Sequence, residues 1–94
     1  MNIQRLALDV DKAISKPSIP DIAEAIEKVP GVEGVSVVVD GIDVETVGMN
    51  ITVEGQQLDY KKIITAIENT GAVVHSIDQI QAGKRIIESA KRER

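Results

Sequence analysis

The sequence contains no cysteine, and this absence excludes several kinds of site at once. Disulfides, thiolate zinc sites, iron–sulfur ligation and cysteine nucleophiles all require a residue that the chain lacks. No apolar run approaches the roughly 20 residues that a membrane-spanning helix needs. The start, Met1-Asn2-Ile3-Gln4-Arg5, leads directly into an alternating pattern, so we expect no signal peptide. These features predict a cytoplasmic protein with no membrane partner.

Aromatic residues are almost absent too, since there is no Phe or Trp and Tyr60 is the only Tyr. The 94 residues suffice for one domain. A chain this short buries only about 60–65% of the surface that it exposes when unfolded. Without large rings, an aliphatic core must use many small side chains or share its burial with a partner. We therefore expect a homo-oligomer.

Charge is distributed unevenly along the chain. Residues 1–80 contain six basic and thirteen acidic residues, a net charge of −7, whereas residues 81–94 contain five basic and two acidic residues. We interpret residues 1–80 as a single domain and residues 81–94 as a basic C-terminal extension, of the kind that is usually a solvated chain end. An acidic domain without stacking aromatic side chains repels nucleic acid, so we expect no nucleic-acid partner.

The first half of the chain predicts a strand, a helix and a second strand. The first strand covers residues 3–10, where apolar and polar side chains alternate. Ser18 is the predicted N-cap of the helix, and Asp21 completes a capping box. The helix ends at Pro30-Gly31 after an apolar stripe of Ile22, Ala25, Ile26 and Val29. The second strand begins near Gly34 and places Val35, Val37 and Val39 on one side.

The second half repeats this order. A third strand alternates Met49, Ile51 and Val53 with polar residues, and Asp59 is the predicted N-cap of a second helix. That helix turns Ile63, Ile64 and Ile67 inward, and Gly71 ends it. The fourth strand runs from Val73 to about Ile80. The pattern leaves three conformations open for residues 81–94: a continuation of this strand, a short helix or a frayed end.

The two halves are also related by an internal repeat. At an offset of 41 residues, Leu6, Leu8 and Val10 correspond to Val47, Met49 and Ile51, and apolar helix positions correspond in the same way. Two βαβ units with right-handed crossovers predict an α+β, ferredoxin-like βαββαβ sandwich. Its four-stranded antiparallel sheet has the order 4-1-3-2 and both helices on one face. The polar side of each strand predicts that the other face is uncovered.

Catalytic motifs are hard to find. His75 is the only His, and no nucleophile turn such as G-x-S-x-G accompanies it. We interpret His75 as a packed or edge residue of the fourth strand. Gly31-Val32-Glu33-Gly34 precedes a strand rather than a helix, so it is a turn and not a phosphate-binding loop. No catalytic residue is predicted.

Acidic residues form the one concentration of potential ligands. Asp40, Asp43 and Glu45 lie within six residues of one another, and Asp9 and Asp11 lie at the end of the first strand. Calcium and magnesium prefer such oxygen ligands, so these residues predict a site for a divalent cation. The simpler interpretation is a solvated acidic hairpin, and the sequence leaves both open.

Two registers are compatible with that hairpin. In one, Val39 pairs with Met49 and residues 41–47 form a loop. In the other, a bulge near Gly41 lets the strand continue, so that Val44 lies opposite Met49 and Asp43 and Glu45 point to the same side. The second register produces a long arm, which favours assembly through the edge strands.

Several short stretches, taken in order, resemble one family. They are Leu6-Ala7-Leu8-Asp9-Val10, Gly31-Val32-Glu33-Gly34-Val35, Asp43-Val44-Glu45-Thr46, Ile51-Thr52-Val53-Glu54-Gly55, His75-Ser76-Ile77-Asp78 and Ala82-Gly83-Lys84-Arg85-Ile86. Together they resemble the archaeal family catalogued as domain of unknown function 211, over nearly the whole chain. The resemblance implies a ferredoxin-like fold. It implies no activity and no catalytic residues.

These features favour a non-enzymatic, oligomeric module that binds a small molecule or an ion, or that regulates another activity. The alternative is an enzyme or binding protein that holds calcium or magnesium at the acidic hairpin. The expectation of a binding or regulatory module rests on analogy with other proteins of this fold. The expectation of a cation site rests on the clustered carboxylates.

Overall fold

The computed structural model describes residues 1–88, which form six elements connected by short turns. Their order is β1 (Ile3–Ala13), α1 (Ile19–Glu27), β2 (Val32–Ile42), β3 (Thr46–Gly55), α2 (Tyr60–Asn69) and β4 (Val73–Ala82). This is the predicted βαββαβ order. The strands extend one to three residues beyond most of the predicted limits, because backbone pairing continues where the apolar alternation stops.

The four strands form one antiparallel sheet in the order β2-β3-β1-β4, which confirms the predicted topology. The central strand β1 is hydrogen-bonded on both sides, so Leu8 lies opposite Ile51 of β3 and Ile77 of β4. The two helices pack against each other and against the sheet, α1 on β2 and α2 on β4. A two-layer α+β sandwich results.

The core lies between the helices and the two central strands. Inward side chains of β1 and β3 meet Ile22 and Ile26 of α1 and Ile63 and Ile67 of α2. The central part of this core is fully buried and entirely aliphatic apart from one Met: Leu6, Leu8, Val10, Met49, Ile51 and Val53. The predicted strand faces and helix stripes are therefore confirmed, and Ile64, at the side of the α2 stripe, is only partly buried.

The inward stripe of β1 ends in a polar residue at each end, Gln4 and Lys12, and both are buried. Gln4 Nε2 donates a hydrogen bond to the carbonyl oxygen of Gly83, at 2.5 Å. Helices of nine and ten residues are about 15 Å long, whereas strands of ten or eleven residues extend for about 35 Å. The helices therefore cover only the middle of each strand, and polar side chains occupy the stripe beyond them.

The helix caps follow the predictions made from the sequence. The Ser18 hydroxyl accepts a hydrogen bond from Asp21 N, and the Asp21 carboxylate accepts one from Ser18 N. Asp59 caps α2 by accepting from the backbone N–H groups of Lys61 and Lys62. Gly71 follows α2 with φ of +106°, a conformation that favours glycine. These local contacts fix both helix starts and the end of α2.

The β2–β3 hairpin combines parts of both predicted registers. Val35, Val37 and Val39 pair with Val53, Ile51 and Met49, as in the first register. A shift at Asp40 then lets Gly41 pair with Gly48 and Ile42 with Val47. The predicted loop over residues 41–47 is therefore wrong, and so is the pairing of Val44 with Met49. A single extra residue, Asp40, is enough to continue the ladder because it leaves the inward side of β2 apolar.

The chain after residue 80 differs from the predicted boundary. Strand β4 continues to Ala82, and Gly83 N donates a hydrogen bond to the carbonyl oxygen of Asn2. Residues 83–88 form no helix or strand. The remainder of the basic extension, residues 89–94, lies outside the described residues. The division into a domain and an extension stays a prediction.

A matched pair of Val substitutions tests the orientation of the sheet. Val10 is fully buried on β1, whereas Val38 is 54% exposed on the outer side of β2. We expect Val10→Ala to lower the free energy of unfolding by about 2 kcal/mol, since two buried methyl groups are lost and a cavity remains. The same deletion at Val38 should cost less than about 0.5 kcal/mol. Urea unfolding at one protein concentration measures both, and equal costs would contradict this orientation.

Candidate functional site

Polar side chains gather at the end of the sheet where β1 ends and β3 and β4 begin. Asp11 of β1 lies opposite Gly48 of β3 and Val73 of β4, and two residues earlier Asp9 lies opposite Asn50 and Ser76. Because these strands are antiparallel neighbours, their polar sides share the outer face of the sheet. The fold thus places Asp9 and Asp11 beside the hairpin, a proximity that sequence order alone does not give.

Gly48 leaves room for two carboxylates on this outer face. A Cβ atom at position 48 would lie 3.2 Å from Asp40 Oδ1 and 3.5 Å from Asp11 Oδ1. The two carboxylates therefore flank the same backbone position, one from β2 and one from β1. Asp40 belongs to the acidic cluster of the hairpin and Asp11 to the acidic pair at the end of the first strand, which the sequence presented as separate features. A Cβ atom at this position would require the Asp40 carboxylate to move by a few tenths of an ångström.

Each of these carboxylates has a different partner. Asn50 Nδ2 donates a hydrogen bond to Asp40 Oδ2 at 2.7 Å. His75 Nε2 lies 2.9 Å from Asp11 Oδ2, and both side chains are partly exposed. His75 is thus an edge residue, as predicted from its place on the fourth strand. Its contact with Asp11 was missed, because a pairing between strands distant in sequence leaves no local signal.

Asp43 and Glu45 lie in the hairpin turn rather than on a continuing strand. Asp43 Oδ1 accepts a hydrogen bond from Val44 N at 2.7 Å, and Asp43 N donates to the carbonyl oxygen of Thr46 at 2.8 Å. The strand geometry in which Asp43 and Glu45 point to one side is absent, because β2 ends at Ile42. Asp43 instead stabilises the turn.

The predicted cation site is distributed over two places in the structure, the pair around Gly48 and the turn. Across residues 1–88, no three His, Asp or Glu side chains are arranged so that they could hold a metal ion together. Binding of calcium or magnesium by Asp40, Asp43, Glu45, Asp9 and Asp11 stays a prediction from the sequence.

Calorimetric titration with calcium chloride tests this prediction. If the turn carboxylates bind calcium, the parent chain gives saturable heat, and the double variant Asp43→Asn, Glu45→Gln loses it because its side chains are neutral. Glu33→Gln, an exposed change near the start of β2, is the matched control and should keep the heat. Equal heats from the parent and the double variant would identify an ordinary solvated turn.

Lys12 is a residue of this region that the sequence did not single out. Only 7% of its surface is exposed, and its Nζ donates hydrogen bonds to the carbonyl oxygens of Ala13 and Ile14, each at 3.0 Å. The signal was present, since Lys12 continues the inward alternation of Leu6, Leu8 and Val10. A buried ammonium is costly unless polar partners compensate it. This one therefore constrains the chain where β1 ends.

A groove of about 320 Å³ lies at this end of the sheet, and Lys12 is one of the residues that line it. Its charged lining comes from β1, from the hairpin turn and from β4, and Gly71 and Val73 add uncharged surface after α2. The charged and ionisable lining residues are Asp11, Lys12, Glu45 and His75. Opposite charges thus line one small groove.

Comparisons with known proteins identify the family. The family model described as uncharacterized ArCR, domain of unknown function 211, matches residues 4–94. The chain belongs to this family. An uncharacterized protein of Methanocaldococcus jannaschii is 39% identical over 89 residues, which covers 95% of this chain and 91% of the relative. The resemblance found in the sequence is thereby confirmed.

Membership in the ArCR family leaves the function open, since both the family and the relative are described as uncharacterized. The matched region includes the hairpin, the outer-face carboxylates and the groove. Among the described residues, neither helix is long and apolar enough to cross a membrane.

Proposed function

We propose that this protein is an oligomeric binding or regulatory module that assembles through the edge strands of its sheet. The observation that carries the proposal is the contrast between the centre and the edges of one sheet face. Helix-facing side chains on the central strands are buried. On the edge strands, Val35, Val37 and Val74 are only partly buried, and Val39, Ile42, Ile77 and Ile80 are exposed. Exposed apolar side chains that follow both edges of one sheet face are suited to contact with another molecule.

Both edges contribute apolar side chains on the helix side. On β2, Val39 and Ile42 are 43% and 74% exposed, although their partners Met49 and Val47 are buried. On β4, Ile77 and Ile80 are 39% and 42% exposed, opposite the buried Leu8 and Leu6. The two helices leave these edge side chains exposed, so a second copy that extended the sheet would cover them.

Neither edge strand contains lysine or proline, two of the residues that oppose strand pairing, although β2 has a bulge at Asp40. The edge strands β2 and β4 are eleven and ten residues long. Free edges of this length normally carry such residues, because unpaired N–H and C=O groups attract other strands. Edge pairing between copies accounts for their absence.

The strand directions allow the sheet to continue from one copy to the next. Each neighbouring pair in the sheet is antiparallel, so β2 and β4 run in opposite directions. A β2 edge placed beside the β4 edge of a second copy therefore forms an antiparallel pair with all helices on the same face. Such head-to-tail contacts close into a ring or continue as a filament.

The binding role is supported by the groove at the end of the sheet, which is lined by unlike charges and reaches strand β4. A thermal-shift screen of small molecules tests this part of the proposal. A ligand that binds only the folded chain raises the melting temperature. If no class of small molecule or ion raises it, the binding role is lost and only self-assembly remains.

Light scattering at micromolar concentration measures assembly. We expect a mass well above the 10.1 kDa of one chain. Val39→Lys and Ile80→Lys should each lower the mass, because a buried lysine opposes edge contact. Val44→Lys, in the exposed hairpin turn and outside both edge strands, is the control and should leave the mass unchanged. A monomer at every concentration would contradict the proposal.

Mixing the two edge variants distinguishes head-to-tail pairing from pairing of like edges. If β2 pairs with β4, each variant alone is a monomer, and the mixture forms a complex of twice the mass of one chain. This follows because each variant retains the edge that the other lacks. If like edges pair, Val39→Lys still forms β4–β4 dimers and Ile80→Lys still forms β2–β2 dimers, and mixing adds nothing.

A further inference from the structure

The groove at the end of the sheet contains a buried positive charge without a negative partner. Lys12 Nζ donates to two carbonyl oxygens, and none of the ion pairs formed within residues 1–88 includes it. Carbonyl oxygens carry only partial charge, and an ammonium has three N–H donors. One N–H donor of the ammonium therefore has no partner among the described residues, and two carbonyl oxygens compensate only part of its charge.

A carboxylate without a partner lies on the same groove. Glu45 belongs to the hairpin turn, is exposed, and forms no hydrogen bond or ion pair with the described part of the chain. It does not reach Lys12, although both line the groove. Asp11 is also present, but His75 occupies one of its oxygens. The groove thus offers the Lys12 ammonium and the Glu45 carboxylate, which do not contact each other, and one Asp11 oxygen that His75 leaves unoccupied.

This arrangement disfavours ligands that carry a single charge. A metal ion would be repelled by the Lys12 ammonium, and a simple anion would be repelled by Glu45 and Asp11. A ligand with both charges satisfies each group. The volume of about 320 Å³ is at the lower end of the range for small-molecule sites, which suits a compact ligand. Val73 and Gly71 provide a small uncharged wall.

We propose that this groove binds a small aliphatic α-amino acid. The carboxylate of the ligand accepts a hydrogen bond from Lys12 Nζ, its ammonium donates to the Glu45 carboxylate, and its short side chain lies against Val73. This inference rests on the binding role proposed above and names the class of ligand. Because Val73 belongs to an edge strand, the bound amino acid lies close to the surface proposed for assembly.

Calorimetry with matched ligands tests the need for two charges. Glycine, L-alanine and L-valine are titrated into the full chain, together with isovalerate and isobutylamine. These last two are valine without its amino group and valine without its carboxylate. We expect saturable binding of L-valine and at least tenfold weaker binding of both single-charge compounds, since each lost contact leaves one charged group unpaired.

Two variants locate the binding to the groove. Glu45→Gln alters an exposed turn and should fold normally, yet it should weaken L-valine binding at least tenfold. Lys12→Met keeps the apolar stem, removes the ammonium and should do the same. Glu33→Gln lies near the start of β2, away from the groove, and is the matched control. Circular dichroism tests whether each variant is folded. If Lys12→Met does not fold, the effect of Glu45→Gln on L-valine binding is the deciding result.

Two results would overturn the inference. One is no saturable heat from any of the three amino acids at millimolar concentration. The other is binding that Glu45→Gln, or a folded Lys12→Met, leaves unchanged. If the amino acids fail and another ligand class raises the melting temperature in the screen, the binding role remains and only the class of ligand is wrong. The mass measured by light scattering reports on assembly separately.

Discussion

The fold depends on a central strand whose inward face is buried along its middle and whose two edges are both paired. Leu6, Leu8 and Val10 are fully buried on β1, with β3 on one side and β4 on the other. The core contains no Phe or Trp, so its stability comes from close packing of branched aliphatic side chains. Every other element is positioned relative to this strand.

The difference in length between helices and strands explains where the polar features lie. The two helices cover roughly 15 Å of strands that extend for about 35 Å. Beyond them, the inward stripe of β1 changes to Gln4 at one end and Lys12 at the other, and both are buried by loops. The groove lies at the Lys12 end, where uncovered strand ends and the hairpin turn enclose space that the helices do not fill.

The bulge at Asp40 determines how the hairpin contributes to that region. It extends pairing to Ile42 and Val47, which shortens the turn to three residues, 43–45. The same shift places Asp40 on the outer face beside Gly48, across from Asp11. Without the bulge, the acidic residues of the hairpin would be spread along a longer loop. One inserted residue thus separates Asp40 from Asp43 and Glu45.

The sequence by itself determined the elements, the helix caps, the buried faces and the strand order. These follow from local rules: alternation every two residues, capping residues such as Ser18 and Asp59, and a repeat that forces two similar halves. Each depends on neighbours in sequence or on the short menu of right-handed βαβ connections, so they could be predicted without coordinates.

Only the tertiary structure decided the position of the bulge, the pairing of His75 with Asp11 and the approach of Asp11 to Asp40. Each depends on how strands distant in the chain are registered against one another. A shift of one residue reverses which side chains share a face, and several registers keep the same apolar alternation. The packing of the whole sheet selects among them, and in the observed register the inward residues of both central strands are buried.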